Sequence, residues 1–300
     1  MRKRRILVGL IGANITRSLA PALFADAFAA AGIDGSYHLM DVDRLPGRRL
    51  PQILEAIKSA GFNGTNITYP FKQDVIALLD AVDPEAVQVG AVNTVTIAPD
   101  GRTTGYNTDR CGWRDSFAES LGRESAQGAT VVQVGAGGAG RAVAFALMDL
   151  GVAKLVIHDR DRARAEALRA DLSKHYGDSR CRITDDLAWD VAVADGVVNA
   201  TQTGMAGFPG NPIPMAAFRA TQWAADVIYT PIETEFIKGA AAKGSRVLTG
   251  GGMCVHQAVE AFRLLTGVKP ELAQLHRSFA TALAARDKGD QRSDSDSRSI

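Results

Sequence analysis

One stretch constrains this chain more than any other: Val131-Val132-Gln133-Val134-Gly135-Ala136-Gly137-Gly138-Ala139-Gly140-Arg141-Ala142. A short apolar run breaks into glycines and then turns Ala-rich, which predicts a strand, a tight turn and a helix start. Gly135, Gly137 and Gly140 stand at G-x-G-x-x-G spacing, which permits the turn, close approach of the backbone to a pyrophosphate, and close packing of helix on strand. Gly138 and Ala139 complete the turn, and the helix N-terminus there faces an anion with its N–H groups. The next predicted strand, Lys154 to His158, ends at Asp159, 19 residues beyond Gly140. An acid about 20 residues on is where a ribose hydroxyl is bound. The plainer alternative is a glycine-rich turn of an ordinary α/β domain, with Asp159 capping the next helix. Strand before, helix after and acid at the right distance favour a dinucleotide site.

At 300 residues the chain exceeds the usual domain of about 100 to 200, so two domains are expected. Hydrophobic residues at 46% and charged residues at 22% fit a folded globular chain and exclude a disordered one. A net charge of +1 argues against nucleic acid or an anionic membrane as a partner held by bulk electrostatics. Cys111, Cys181 and Cys254 are odd in number and widely spaced, which suggests neither a disulfide framework nor a zinc site and fits a reducing cytoplasm. Met1 to Arg5 is basic, but the apolar run behind it, Ile6 to Ile11, is far too short for a signal-peptide core or a membrane span.

That run reads as the first strand, Arg5 to Gly12. Helix Pro21 to Ala31, strand Ser36 to Val42, helix Pro51 to Ala60 and strand Phe62 to Thr68 follow, and this alternation implies parallel βαβ units. Val92 to Ile97 and Thr103 to Tyr106 flank Asp100-Gly101, a signal for a hairpin with a type I′ turn. Helix Arg110 to Leu121 leads to the glycine-rich strand. Beyond it come helix Arg160 to Tyr176, strands Gly196 to Asn199 and Ala224 to Ile228, helix Thr234 to Ala242, and strand Ser245 to Leu248. Helices Met253 to Leu265 and Pro270 to Ala285 close the chain, and the polar tail from Asp287 has almost nothing to bury, so disorder is expected there.

Ligands of open α/β sheets sit at the carboxyl ends of strands. Polar residues fall there at Asn14 to Ser18, at Asn66 to Lys72 and at Asn107-Thr108-Asp109. Lys72 is expected in the first turn of a helix, where the dipole disfavours its charge. A lysine and a carboxylate within reach of a substrate hydroxyl can pass its proton. Spacing alone favours the plainer reading, in which Lys72 is a solvated helix residue and Asp109 an N-cap. His158, His175, His256 and His276 lack ligand spacing, so no metal is indicated.

These stretches together resemble the shikimate and quinate dehydrogenases. The matching motifs are Gly9-Leu10-Ile11-Gly12, Arg17-Ser18-Leu19-Ala20-Pro21, Asn66-Ile67-Thr68-Tyr69-Pro70-Phe71-Lys72, Gly90-Ala91-Val92-Asn93-Thr94-Val95 and Gly105-Tyr106-Asn107-Thr108-Asp109. Further along come Gly135 to Arg141, Asn199 to Met205, Asp226-Val227-Ile228-Tyr229 and Gly252-Met253-Cys254-Val255-His256-Gln257-Ala258. The resemblance runs from residue 6 to about residue 285 in the family's order. It implies an oxidoreductase moving a hydride between the ring carbinol carbon of a cyclic hydroxy acid and nicotinamide. Lys72 and Asp109 match the catalytic pair, while Asn93, Asp109, Asn66 and Gln257 match positions that bind ring hydroxyls. Thr68 and Tyr229 match polar positions near the substrate, and Ser18 a position that binds its carboxylate. Thr201, Met205, Gly252 and Met253 join the glycine turn on the cofactor side.

Two departures stand out. Where the family reads Ser-x-Ser-Pro or Ser-x-Thr-Pro, this chain has Ser18-Leu19-Ala20-Pro21, one hydroxyl fewer for the substrate carboxylate. A hydrogen bond to a charged group is worth about 1.5 to 3 kcal/mol, so binding of the common substrate would weaken by one to two orders of magnitude. Where NADP-using members carry Asn-Arg-Thr, this chain has Asp159-Arg160-Asp161. The Asp159 carboxylate accepts from a ribose 2′-hydroxyl and repels a 2′-phosphate, which favours NAD. Arg160 could stack on adenine or meet a phosphate, which leaves NADP as the second cofactor.

The expectation is therefore an α/β enzyme of two domains. Residues 1–108 form a substrate-binding domain with a mostly parallel sheet, completed by helices 253–286. Residues 109–252 form a Rossmann NAD-binding domain, and 287–300 a disordered tail. Its partner is a small cyclic hydroxy acid, its location the cytoplasm, and its state a monomer or homodimer. Alternatives are an NADP-dependent shikimate dehydrogenase of aromatic biosynthesis, an aminoshikimate-type dehydrogenase, or a non-catalytic NAD-binding regulatory protein.

Overall fold

The computed structural model describes residues 5–45 and 47–297. Of the basic N-terminal stretch, Met1 to Arg4 lie outside the described residues, as do residues 298–300 of the tail. In chain order the elements are β1 (Ile6–Gly12), α1 (Ala20–Ala30), β2 (Gly35–Asp41), α2 (Leu50–Ser59), β3 (Gly64–Ile67), β4 (Ala81–Val82), α3 (Pro84–Val89), β5 (Thr94–Ile97), β6 (Thr103–Tyr106) and α4 (Thr108–Leu121). They continue as β7 (Thr130–Val134), α5 (Gly138–Asp149), β8 (Lys154–His158), α6 (Arg162–Tyr176), β9 (Cys181–Ile183), α7 (Leu187–Val193), β10 (Gly196–Asn199), β11 (Trp223–Asp226), α8 (Glu235–Ala242), β12 (Val247–Leu248), α9 (Gly250–Thr266) and α10 (Leu272–Ser297). The chain divides into two compact units: Met1–Ala86 with Val92–Thr108 and Ala258–Ile300, and Val87–Ala91 with Asp109–Gln257.

The first unit holds a sheet in the order β2-β1-β3-β5-β6-β4. β1 pairs parallel with β2 and β3, whereas β5 runs antiparallel to both β3 and β6. Helix α2 buries Leu50, Ile53, Leu54 and Ile57, the i, i+3, i+4, i+7 spacing of one helix face, against Ile11, Ile67 and Val95. A separate aromatic group joins α1 to the returning helix: the Phe262 ring lies 5.5 Å from Phe24 and 5.1 Å from Phe28, and Phe24 lies 4.5 Å from Tyr37. Such pairs add about 0.5 to 1.5 kcal/mol each beyond burial.

The hairpin joining β5 to β6 forms, but not with the anticipated type I′ turn. That turn needs positive φ at both central residues. Gly101 has φ +83°, while Asp100 is not among the residues of positive φ. Pro99 fixes the first loop position near −65°, which suits a type I turn followed by one left-handed residue. Gly101 N–H accordingly donates to Ala98 O, and Ala98 N–H to Arg102 O.

The second unit is a six-stranded sheet, β12-β11-β10-β7-β8-β9, in which every pairing is parallel. Numbered within the unit the order is 6-5-4-1-2-3, the doubly wound arrangement, with its switch point between β7 and β10. Period-two alternation sorts the strand residues into two cores. Val131, Leu155, Ile157, Val198 and Ala225 join one, and Val132, Val134, Val156, Val197 and Ala224 the other. Helix α5 is buried from Gly140 to Met148. Asp161 caps α6 by accepting from Ala163 N–H at 3.1 Å, and Thr234 caps α8 by accepting from Ile237 N–H at 3.3 Å.

Helix α10 runs to Ser297, where composition pointed to disorder from Asp287. Extending an existing helix needs no new nucleus, so a polar continuation can follow an anchored stem.

Candidate functional site

In the first unit, the candidate residues gather at the carboxyl ends of β1 and β3 and around the start of β5. Gly12 ends β1 so close to the neighbouring segment that a Cβ there would come within 2.3 Å of the Thr68 side chain and 3.0 Å of Tyr69 O. The loop that follows is held by Asp41, whose Oδ1 accepts from Asn14 N–H at 3.2 Å and whose Oδ2 accepts from Ile15 N–H at 3.1 Å. Asn14 takes φ +54° to present that N–H, a conformation asparagine tolerates. Further along this loop, Ser18 Oγ accepts from Ala20 N–H at 3.3 Å.

Asn66 and Asn93 are buried and directly joined. Asn66 Nδ2 donates to Thr94 Oγ1 at 2.9 Å and to Asn93 O at 3.3 Å, and its Oδ1 accepts from Tyr37 OH at 3.0 Å. Asn93 Oδ1 accepts from Thr108 N–H at 2.8 Å and its Nδ2 donates to Thr108 Oγ1 at 2.9 Å, which satisfies the start of α4. Of the bonds described, these leave Asn66 one acceptor lone pair and Asn93 one N–H. Lys72 is partly buried, and its carbonyl accepts from Val92 N–H at 2.7 Å. It does not open an α-helix. The bond from Val75 N–H to Phe71 O runs four residues back, while Phe71 N–H to Thr68 O and Ile76 N–H to Gln73 O run three back and lead into a short 310 helix, Asp74–Leu78. No run of aligned peptides begins at Lys72, so no helix dipole of the expected kind acts there.

Asp109 falls in the second unit, 4% exposed in the first turn of α4, where the helix N-terminus favours a carboxylate. The glycine turn lies at the carboxyl end of β7. Its glycines have separate reasons to be there: Gly135 has φ +109°, and a Cβ on it would meet Ala200 O at 2.5 Å. A Cβ on Gly140 would meet Gly135 O at 2.2 Å, whereas one on Gly137 would enter open space. Gly138 begins α5, with Ala139 in its first turn. The turn is thus tight against its own strand and open toward a ligand, as a dinucleotide requires. Asp159 reaches across from the end of β8. Its Oδ2 accepts from Ala136 N–H at 2.7 Å and its Oδ1 from Asp161 N–H at 2.9 Å. Arg160 beside it is exposed.

Beyond β10, Thr201 Oγ1 donates to Asn199 Oδ1 at 2.7 Å and accepts from Thr203 N–H at 3.0 Å. Asn199 Nδ2 donates to both Asp226 oxygens, at 3.2 and 3.1 Å. Asp226 also accepts from Ile228 N–H at 2.9 Å and Thr234 Oγ1 at 2.8 Å. Burial pushes the Asp226 carboxyl up to about 6, against these bonds, which favour its charged form. Met205 forms a small bridge with Phe208, and Tyr229, just past β11, is partly buried. A Cβ on Gly252 would come within 2.1 Å of Ser116 Oγ, and Met253 is part of the larger core. Gln257 Nε2 donates to Cys254 O at 2.9 Å, and a Cβ on Gly112 would lie 2.8 Å from its backbone nitrogen.

Sequence reasoning assigned no job to Asp41, Asn199 or Asp226. The signal for the last two was a polar residue closing an otherwise apolar buried strand, Val197-Val198-Asn199 and Ala224-Ala225-Asp226.

Residues 10–95 match the family model of the shikimate dehydrogenase substrate binding domain, and residues 117–207 that of shikimate/quinate 5-dehydrogenase. A quinate/shikimate dehydrogenase (NAD(+)) of Corynebacterium efficiens is 44% identical over 93% of this chain and 99% of its own length. A shikimate dehydrogenase (NADP(+)) of Streptomyces avermitilis is 45% identical over 93% and 97%. Among solved structures, quinate dehydrogenase from Corynebacterium glutamicum in complex with NAD superposes with a TM-score of 0.85 at 42% identity, covering 93% of this chain and all of that one. Among the described residues, no helix is long and apolar enough to cross a membrane.

Proposed function

Because this chain belongs to the shikimate and quinate dehydrogenase family, we propose that it is an NAD-dependent oxidoreductase acting on a ring hydroxyl of quinate, shikimate or a close analogue. The observation that carries the cofactor is the glycine turn with the Asp159 carboxylate fastened to it. Gly135, Gly137, Gly138, Ala139 and Gly140 would hold the pyrophosphate and Asp159 the adenosine ribose, with Arg160, Thr201, Met205, Gly252 and Met253 around them. The chemistry that bound NAD supplies is acceptance of a hydride from the carbinol carbon.

Lys72 and Asp109 take the acid–base role, receiving the hydroxyl proton as the carbon is oxidised and returning it in the reverse direction. Ser18 binds the substrate carboxylate. Asn66 and Asn93 meet ring hydroxyls with the lone pair and N–H their internal bonds leave, Gln257 with its amide, and Thr68 and Tyr229 lie beside the ring. A second reading, use of NADP, is favoured by exposed Arg160 and by the name of the Streptomyces relative. The three cysteines are free thiols, which supports the cytoplasm as the protein's place, as a monomer or homodimer.

The test is Lys72→Ala. Turnover of quinate or shikimate should fall at least about 100-fold while NAD binding stays within about twofold, the signature of losing a positioned acid–base group. Full turnover in that variant would refute the mechanism, and a substrate panel run with NAD and with NADP decides between the cofactors.

A further inference from the structure

The glycine turn is gripped from beneath by a residue of the strand that leads into it. Gln133 lies on β7 two residues before Gly135 and is fully buried. Its Nε2 donates to Gly135 O and to Gly140 O, each at 2.8 Å. Two carbonyls on the same side determine which end of the amide is nitrogen, since the NH2 group alone has protons to give. The acceptors are the first and last glycines of the turn, already packed so closely that a Cβ on Gly140 would come within 2.2 Å of Gly135 O. One side chain therefore ties the exit of the strand to the first turn of α5.

Sheet stability does not account for this residue. The other β7 positions inside the sheet are valines, and the Gln133 Oε1 is buried with no hydrogen-bond partner among the described residues. An unmatched buried acceptor costs desolvation energy that an aliphatic side chain would not. Something other than the core must favour the amide.

We propose that Gln133 is a positioning residue for the dinucleotide. It sets the span of the turn so that the N–H groups of Gly138, Ala139 and Gly140 face the pyrophosphate in register. This rests on the reading of the turn as an NAD site, so the experiment begins with wild-type protein, in which failure to bind NAD would overturn that reading and leave no cofactor to position. Gln133→Leu is then titrated with NAD, with ADP, which carries the pyrophosphate, and with adenosine, which lacks it. NAD and ADP should bind about tenfold more weakly and adenosine within about twofold, the scale of one to two hydrogen bonds. In turnover assays the KM for NAD should rise by the same factor. The kcat at saturating NAD and the KM for the ring substrate should stay within about twofold, a split that general loosening of the fold would not produce. Gln133→Met, similar in length and flexible, carries the same expectations should the leucine variant fail to fold. Unchanged NAD and ADP affinity in a folded variant, or equal weakening of all three ligands, would overturn the proposal.

Discussion

Removing Asp159 should separate the anchoring of the glycine turn from the ribose contact proposed for the same carboxylate. Its Oδ2 holds Ala136 N–H at 2.7 Å in the glycine turn, and Ala136 is 3% exposed. Asp159→Ala leaves that N–H buried without its acceptor, at a cost of about 1 to 3 kcal/mol, while the exposed bond to Asp161 N–H contributes little. A loss near 2 kcal/mol should lower the melting temperature by about 4 to 8 °C for a unit of this size. The catalytic effect comes on top of this. With NAD, the ribose contact and the fixed turn are both lost, so kcat/KM should fall about 10- to 100-fold. With NADP, the repulsion of the 2′-phosphate is removed, but the turn that must hold the pyrophosphate is loosened too. NADP efficiency should therefore stay well below that of the wild type with NAD. Asp159→Asn keeps one oxygen for Ala136 N–H, so it should melt within about 2 °C of wild type while the preference for NAD weakens. Thermal unfolding and paired cofactor kinetics on the two variants read both effects. An alanine variant that melts with the wild type and uses NADP as well as the wild type uses NAD would reduce Asp159 to a ribose ligand and refute the coupling.

Two further outcomes follow from the geometry. Asp226 has its native pKa near 6, above the unfolded value of about 3.9. The folded state then binds this proton more tightly, so stability is gained as pH falls through 6 toward 4. It is withdrawn, by up to about 3 kcal/mol, as pH rises through 6. Asp226→Asn should lose that component, and parallel stability profiles for the two proteins between pH 4 and 7.5 would contradict the assignment. Restoring a hydroxyl with Ala20→Thr should lower the KM for shikimate about tenfold, since a carboxylate gains one donor. A KM unchanged in that variant would mean the departure at Ala20 does not touch the substrate.

The parts of the fold that could be read from the sequence are those written locally. The valine run, the glycine spacing and the alternation of βα units all act within a dozen residues, and the doubly wound sheet followed from them. Pairing at a sheet edge is not local. β9 is three residues, Cys181–Ile183, and β4 is two, Ala81–Val82, both too short for periodicity, and they exist because β8 and β6 offer an open edge to pair with. Turn chemistry failed for a different reason. Asp100-Gly101 carries the hairpin signal, but Pro99 one position earlier sets a φ that selects another turn. At Lys72 the expected helix start did not form, because the 310 bonding depends on how tightly the chain must double back to reach β4.

Three acids, Asp41 and Asp226 inside expected strands and Asp159 the expected ribose ligand, share a position that becomes visible once the strands are ordered. Asp41 at the end of β2 holds the loop after β1, Asp159 just past β8 holds the turn after β7, and Asp226 at the end of β11 holds Asn199 at the end of β10. In each case the two strands are parallel neighbours whose ends are in register: Gly12 lies opposite Asp41, Val134 opposite His158, and Asn199 opposite Asp226. Where parallel strands stop, the ladder stops too, and the N–H groups of the departing loop need acceptors. An acid one strand over supplies them, directly at Asp41 and Asp159 and, at Asp226, by holding the Asn199 amide whose Oδ1 accepts from Thr201 N–H. Which acid serves which loop depends on the orders 2-1-3 and 5-4-1-2 within the sheets, so a linear reading cannot assign it. The same dependence links fold and specificity: at Asp159 the carboxylate proposed to select the cofactor also anchors the turn, so a change of cofactor preference here has to replace that anchor as well as the charge.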